Sequence, residues 1–236
     1  MPPPVRARIF DVFGTLVDWH GGVVREVRAH LEPLGLAVDA PAFALAWRHQ
    51  YQPAMEEVRS GRLPFGKRDA LHRRNLDVVL RDLGLDDRVD EATRQSLNLA
   101  WHRLDAWPEV PAALARLRQR YLIAPCSNGH IALQVALARR NGLRWDAILG
   151  AELARDYKPQ PIVYQTAAAA LDLPPEQVMM VAAHSWDLEK AAECGLRTAF
   201  IARPDEHGPG VGETRAGVAV DVEAGDLVGL AEGLGC

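Results

Sequence analysis

Apolar and polar positions alternate along this chain in two rhythms. Arg8-Ile9-Phe10 begins a short apolar run that stops at Asp11, with Phe13 and Gly14-Thr15-Leu16 beyond it. That reads as a buried strand followed by a tight turn at Gly14. From about residue 20 to 104 the spacing turns helical. Val23, Val27 and Leu31 share one face, and Trp47, Tyr51, Met55 and Val58 recur at helical intervals. Leu71, Leu76, Val79, Leu80 and Leu83 make a further stripe, which Gly84 is suited to end. No strand pattern interrupts this stretch, so it predicts a helical block with a small core of its own.

Beyond Trp107-Pro108 the two rhythms alternate. Val110, Leu114 and Leu117 predict a helix; Leu122-Ile123-Ala124 predict a strand ending at Ser127-Asn128-Gly129. A helix carrying Ile131, Val135 and Ala138 follows and closes at Asn141-Gly142. Ile148-Leu149 is a short strand candidate, and Ile162 to Leu173 an alanine-rich helix. Val178 to Val181 is a strand, Asp187 to Cys194 a helix capped by Gly195, and Thr198 to Ile201 another strand. The glycine-rich run Gly208 to Gly212 neither follows a strand nor opens a helix, so it reads as a flexible loop. Such alternation predicts an α/β fold, a doubly wound parallel sheet assembled from both ends of the chain around the helical insertion. Ligands of such sheets bind outside the carboxyl ends of the strands. Those ends carry Asp11, Ser127-Asn128 and His184 to Asp187, with Lys158 in a nearby loop.

Composition narrows the class. The chain has 236 residues, 48% hydrophobic and 25% charged, with a formal net charge of −4. Those values fit a folded protein of one or two domains and give no basic footprint for nucleic acid. No apolar run is long enough for a membrane span, and Met1-Pro2-Pro3-Pro4-Val5-Arg6 lacks the apolar core of a signal peptide. Cys126, Cys194 and Cys236 are odd in number and far apart, against a disulfide scaffold or structural zinc site. A cytoplasmic protein with no membrane or nucleic-acid partner is expected.

Four motifs in order resemble the haloacid dehalogenase superfamily. They are Asp11-Val12-Phe13-Gly14-Thr15-Leu16, Ser127-Asn128-Gly129, Tyr157-Lys158-Pro159 and Ala183-His184-Ser185-Trp186-Asp187. The resemblance implies a Rossmann-like catalytic core over residues 1–17 and 104–236, with an inserted helical cap domain over 18–103. Phosphatases of the superfamily place a second aspartate two residues after the first, as general acid and metal contact. Here Phe13 stands there, which matches the (S)-2-haloacid dehalogenase branch. A halide leaves without a proton, and that branch needs no metal or other cofactor. Trp47-Arg48-His49-Gln50 resembles the branch's cap segment bearing a halide-binding arginine, and Tyr164 follows Lys158 at the branch's spacing. The fourth motif departs: Ala182 and His184 replace a serine and an asparagine.

The implied reaction turns a short 2-haloalkanoic acid into the 2-hydroxy acid with inversion, through an ester on Asp11. The resemblance makes Asp11 the nucleophile, kept ionised by Lys158. Thr15, Ser127 and Tyr164 would contact substrate, Arg48 and Asn128 the departing halide. His184, with a side chain that titrates near neutral pH, and Asp187 would hold and activate the water. The partner is then a small haloacid, and a homodimer is compatible with it. Two alternatives stand beside this reading: a metal-dependent phosphatase of the same superfamily, and a non-catalytic binding protein with the same fold.

Overall fold

The computed structural model describes residues 4–236; Met1 to Pro3, the start of the stretch read above for a leader, lie outside the described residues. Eight strands form among the described residues: β1 (Ala7–Phe10), β2 (Val17–Asp18), β3 (Asp105–Ala106), β4 (Leu122–Ser127), β5 (Leu149–Gly150), β6 (Val178–Ala182), β7 (Arg197–Ile201) and β8 (Val222–Ala224). Six of them make one sheet in the order β5-β4-β1-β6-β7-β8, parallel throughout. The helices are α1 (Trp19–Leu31), α2 (Ala40–His49), α3 (Tyr51–Arg59), α4 (Arg68–Asp82), α5 (Glu91–Asn98), α6 (Val110–Leu117), α7 (Ile131–Asn141), α8 (Ala151–Ala154), α9 (Pro161–Ala169), α10 (Ser185–Glu193) and α11 (Leu227–Gly233).

Strand side chains alternate between faces, so each face gathers its own core. Ile9, Ala124, Cys126, Met180 and Ala182 pack with Val163 and Tyr164 of α9 and Leu188 and Ala191 of α10. Phe10, Ile123, Met179, Val181 and Ile201 pack with α6, α7 and α11 through Val110, Leu114, Leu133, Leu137, Leu227 and Leu230. Both faces are covered, as an all-parallel sheet requires. β1 is central, paired with β4 on one side and β6 on the other, and Phe10 lies level with Pro125 and Val181. The residues just past these three strands therefore emerge side by side.

Helices α1 to α5 lie between β2 and β3. The chain leaves through β2 and returns through β3, which pair antiparallel with Val17 opposite Ala106. Asp18 caps α1, accepting from the Gly21 N–H at 2.8 Å, and so turns the strand directly into the helix. The apolar cluster of Phe10 and Phe13 continues without a gap into Trp19, Trp47 and Trp101 of the insertion. Trp101 is its hub. Its ring stacks on His72 at 4.5 Å and on Trp19 at 6.3 Å, and meets Trp47 and Phe13 edge-on.

The structure departs from the sequence pattern in four places. The stripe from Trp47 to Val58 spans two helices, because Gln50 ends α2 and precedes α3. On α7 the buried face is Leu133, Gln134 and Leu137, while Ile131 and Val135 are 42% and 39% exposed. Gly129 makes room for part of this face: without a Cβ it leaves space for the Gln134 amide, which turns inward beside Leu133 and Leu137. The edge strand β8 and helix α11 carry patterns too short to stand out in the sequence. Finally, the run from Gly208 to Gly212 is tied down rather than flexible. His207 N–H donates to Val211 O, Gly210 N–H to the Asp205 carboxylate, and Gly212 packs on the Arg203 carbonyl. No helix among the described residues is long and apolar enough to cross a membrane.

Because Trp101 fills the junction between insertion and sheet, Trp101→Ala should cost about 3–5 kcal/mol. Urea unfolding should show it as a lower midpoint with one transition. Two separated transitions would mean that insertion and sheet unfold independently.

Candidate active site

The ends of β1, β4 and β6 and the loop before α9 converge on one buried ammonium. Asp11 follows β1 and is pinned to the sheet by its N–H, which donates to Val181 O at 3.0 Å. Lys158 lies in the segment between α8 and α9. Its backbone N–H donates to Asn128 Oδ1 at 2.7 Å, and its carbonyl accepts from Arg59 of α3 at 2.9 Å. The side chain, 1% exposed, ends 2.9 Å from Asp11 Oδ1 and 2.5 Å from Asp187 Oδ2. Asp187 sits in the first turn of α10, where the helix dipole favours an anion, and Tyr164 Oη donates to its Oδ1 at 2.5 Å.

Asp11 is held on its other oxygen as well. Thr15 Oγ1 donates to Oδ2 at 2.7 Å and accepts from the Ala183 N–H at 3.0 Å. His184 Nδ1 lies 3.2 Å from the same oxygen, while its Nε2 is 2.9 Å from both oxygens of Glu206. Trp19 Nε1 also donates to Glu206, at 3.1 Å. Glu206 fits only because residue 14 is glycine. Gly14 has φ +89°, and a Cβ there would fall 2.2 Å from Glu206 Oε1.

These contacts fix the charges. Burial alone would raise Asp11, but Lys158 and His184 more than offset it and hold the carboxyl far below the usual range. Burial opposes the charge on Lys158 too, yet Asp11 and Asp187 raise its pKa above that of a free lysine. Burial raises Asp187, against Lys158; the donors Lys158 and Tyr164 on its two oxygens suit a carboxylate. His184 is pushed well above an ordinary histidine: burial lowers it, but Glu206 and Asp11 prevail. Cys126, one residue before Ser127, is pushed up to about 12 by burial and stays a thiol.

The structure thus brings Asp11, Lys158, Asp187, His184, Thr15 and Tyr164 into one hydrogen-bonded group. In three of them the protein contacts bear on the expected role. The Thr15 hydroxyl is held between Asp11 and the Ala183 N–H and orients the carboxylate. Tyr164 is fully buried and bound to Asp187, which it positions. His184 is paired with two carboxylates and carries a proton at neutral pH, so it is no free base while Asp11 is ionised. Ser127 Oγ accepts from the Gly129 N–H at 3.0 Å and keeps its own proton to donate. Asn128 Nδ2 reaches Tyr51 Oη at 3.3 Å, and the Arg48 guanidinium lies 3.9 Å from the centre of the same ring. Arg48 and Asn128 therefore meet through Tyr51. Glu206, the partner of His184, was not evident in the sequence. It stands alone in a loop, and its one signal is Gly14, nearly 200 residues away.

The chain is similar to known proteins in both sequence and fold. Residues 5–195 match the family described as "Hydrolase: haloacid dehalogenase-like hydrolase". The chain is 30% identical over 206 residues to (S)-2-haloacid dehalogenase 4A of Burkholderia cepacia, covering 86% of this chain and 85% of that one. It is similar to a solved structure of a defluorinating L-2-haloacid dehalogenase, with TM-score 0.96 and 41% identity over the whole of both chains. A second L-2-haloacid dehalogenase structure gives TM-score 0.93 at 44% identity, over 98% of this chain and 99% of that one.

Asp11 and His184 stabilise the fold over different pH ranges. The depressed Asp11 contributes fully above about pH 4 and loses that as pH falls. The raised His184 contributes fully below about pH 6.5 and loses that as pH rises through its folded value. Stability should therefore decline on going from pH 6 to pH 9. Glu206→Gln should flatten that decline and lower the His184 titration, read by NMR of the imidazole. An unchanged titration would mean that the Glu206 contact does not set the charge of His184.

Proposed function

The chain belongs to the haloacid dehalogenase-like hydrolases, and from that premise we propose that it hydrolyses short 2-haloalkanoic acids to 2-hydroxy acids with inversion at C2. One observation carries the reading: Asp11 is buried, ionised and held on both oxygens, with Phe13 where a phosphatase needs its acid. Residues 18–103 then act as a cap over a catalytic core formed by 1–17 and 104–236. The named activity of the relatives in Burkholderia and among solved structures supports the same substrate class, fluorinated acids included.

An Asp11 oxygen attacks C2 from the side opposite the halogen. The C2–halogen bond breaks with its electron pair, and an aspartyl ester remains. Lys158 and Thr15 hold the carboxylate in one orientation, so no reorganisation is needed at the moment of attack. Ser127 has a free donor for the substrate carboxylate, and Arg48 with Asn128 faces the developing halide. Esterification removes the charge of Asp11, and with it one of the two anions that keep His184 protonated. His184 then gives its extra proton to solvent, and the His184–Glu206 pair takes one from a water that attacks the ester carbonyl carbon. The bond from that carbon to the substrate oxygen breaks, the oxygen takes this proton and leaves as the 2-hydroxy acid, and Asp11 is restored with one oxygen from water, its carboxyl proton passing back to His184.

The donor set does not suit a divalent cation. Such an ion needs several oxygens facing one point. Here both oxygens of Asp11 and of Asp187 are engaged by protein donors, and the Lys158 ammonium stands between the two carboxylates.

Halide release from (S)-2-chloropropionate should proceed equally with and without a chelator. Asp11→Asn should lower it by roughly four orders of magnitude or more, since an amide is a very poor nucleophile. In ¹⁸O water, single turnovers should leave label in Asp11, detected by mass spectrometry of its peptide. Label in the product alone would show direct attack by water on the substrate and refute the ester route.

A further inference from the structure

Tyr51 stands between the two groups assigned to the halide. Its hydroxyl accepts from Asn128 Nδ2 at 3.3 Å, which leaves its own proton free to donate. Its ring lies under Arg48, with the guanidinium carbon 3.9 Å from the centroid. A second guanidinium packs on the same ring at 3.8 Å: that of Arg68, the first residue of α4. Arg68 is 1% exposed, and none of its three side-chain nitrogens has a hydrogen-bond partner among the described residues. The Arg48 Nη1 atom is likewise buried and unpartnered. The neighbouring Asp69 is turned away to His102, at 2.9 Å.

A buried cation without hydrogen bonds is costly, and two on one ring repel each other. Contact with the face of Tyr51 offsets part of this, but leaves every N–H of Arg68 free. An anion is what the arrangement lacks. The charges point the same way. In the group formed with half-buried Arg48, Asp11, Asp187 and Glu206 oppose Lys158, His184, Arg48 and Arg68, leaving one positive charge over. A 2-haloalkanoate is a monoanion and balances it; without Arg68 the loaded site would be net negative.

We propose that Tyr51 and Arg68 complete the halide pocket begun by Arg48 and Asn128, with the Tyr51 hydroxyl donating a hydrogen bond to the leaving halide, and that this donor makes the site competent to expel fluoride. This rests on the dehalogenase reading above. Fluoride is the smallest and most strongly hydrogen-bonded halide, so its departure depends most on donors aimed at it. As the Asp11 oxygen bonds to C2, the C2–F electron pair passes to fluorine. Fluoride then accepts from Tyr51 and the guanidinium groups. Tyr51 keeps its proton throughout, because hydrogen fluoride is a far stronger acid than a phenol. Burial raises the pKa of Tyr51 less than Arg68 and Arg48 lower it, so its hydroxyl is a stronger donor than a free tyrosine.

The test compares fluoride, chloride and bromide release from the three monohaloacetates. Tyr51→Phe should slow fluoride release by roughly a hundredfold, chloride by roughly tenfold and bromide least. An equal loss for all three would overturn the donor role, as would a wild-type protein that releases chloride and bromide but no fluoride. Arg68→Met keeps the bulk and removes the charge. It should weaken fluoride and chloride binding roughly tenfold, read by quenching of tryptophan fluorescence, while Tm stays level or rises because an unpaired buried cation is gone. A fall in Tm with halide affinity unchanged would make Arg68 a packing residue and overturn its assignment. If the wild type releases no halide from any substrate, the dehalogenase reading fails and the fluoride claim with it. The quenching experiment then still decides whether Arg68 and Tyr51 bind a halide.

Discussion

Everything at the centre of this protein depends on keeping two carboxylates ionised where water cannot help. Asp11 and Asp187 are both buried, and a single ammonium, that of Lys158, lies within hydrogen-bond reach of each. Neither the cation nor the anions could be buried alone. The fold supplies the meeting point: a central strand with a parallel neighbour on each side delivers three chain segments to one edge, and the lysine reaches in from a fourth. Tyr164 and Thr15 occupy the lone pairs that Lys158 leaves. The result is a nucleophile that is charged, oriented and poorly hydrated at once.

The helical insertion is joined to this centre by more than contact of surfaces. Arg59 of α3 binds the Lys158 carbonyl, and Trp19 of α1 donates to Glu206 beside His184. Trp101 and its aromatic neighbours carry one apolar core from the sheet into the insertion. Displacing the insertion would therefore disturb the supports of both the lysine and the histidine, so that the charges of the site and the packing of the insertion are set together.

Much of this was legible in the sequence because strand ends are where chemistry and topology coincide. Apolar runs closing on Asp11, Ser127 and His184 marked both the sheet and the residues it presents, and the family resemblance carried by Tyr157-Lys158-Pro159 and Tyr164 supplied the rest of the group. Residues whose role arises from long-range packing were not legible. Glu206 lies in a loop without a motif and reaches the site because Gly14 lacks a side chain. Arg68 looks like an ordinary charge at a helix start, and only its burial without partners sets it apart. The inward turn of Gln134 on α7 also escaped periodicity, since Ile131 and Val135 are the more apolar choice for the core.

Cys126 adds a constraint of another kind. A 2-haloacid is an alkylating agent, and a thiolate attacks such a carbon readily and irreversibly. The cysteine lies on β4 one residue before Ser127, close to a carboxylate built to make the same attack and be regenerated by water. Burial pushes its thiol up to about 12, so at neutral pH almost none of it is ionised. The protein thus discriminates between two buried nucleophiles by which of them it surrounds with cations. Lys158 and His184 keep the oxygen charged, and the apolar strand keeps the sulfur neutral, which protects the catalyst from being consumed by its own substrate.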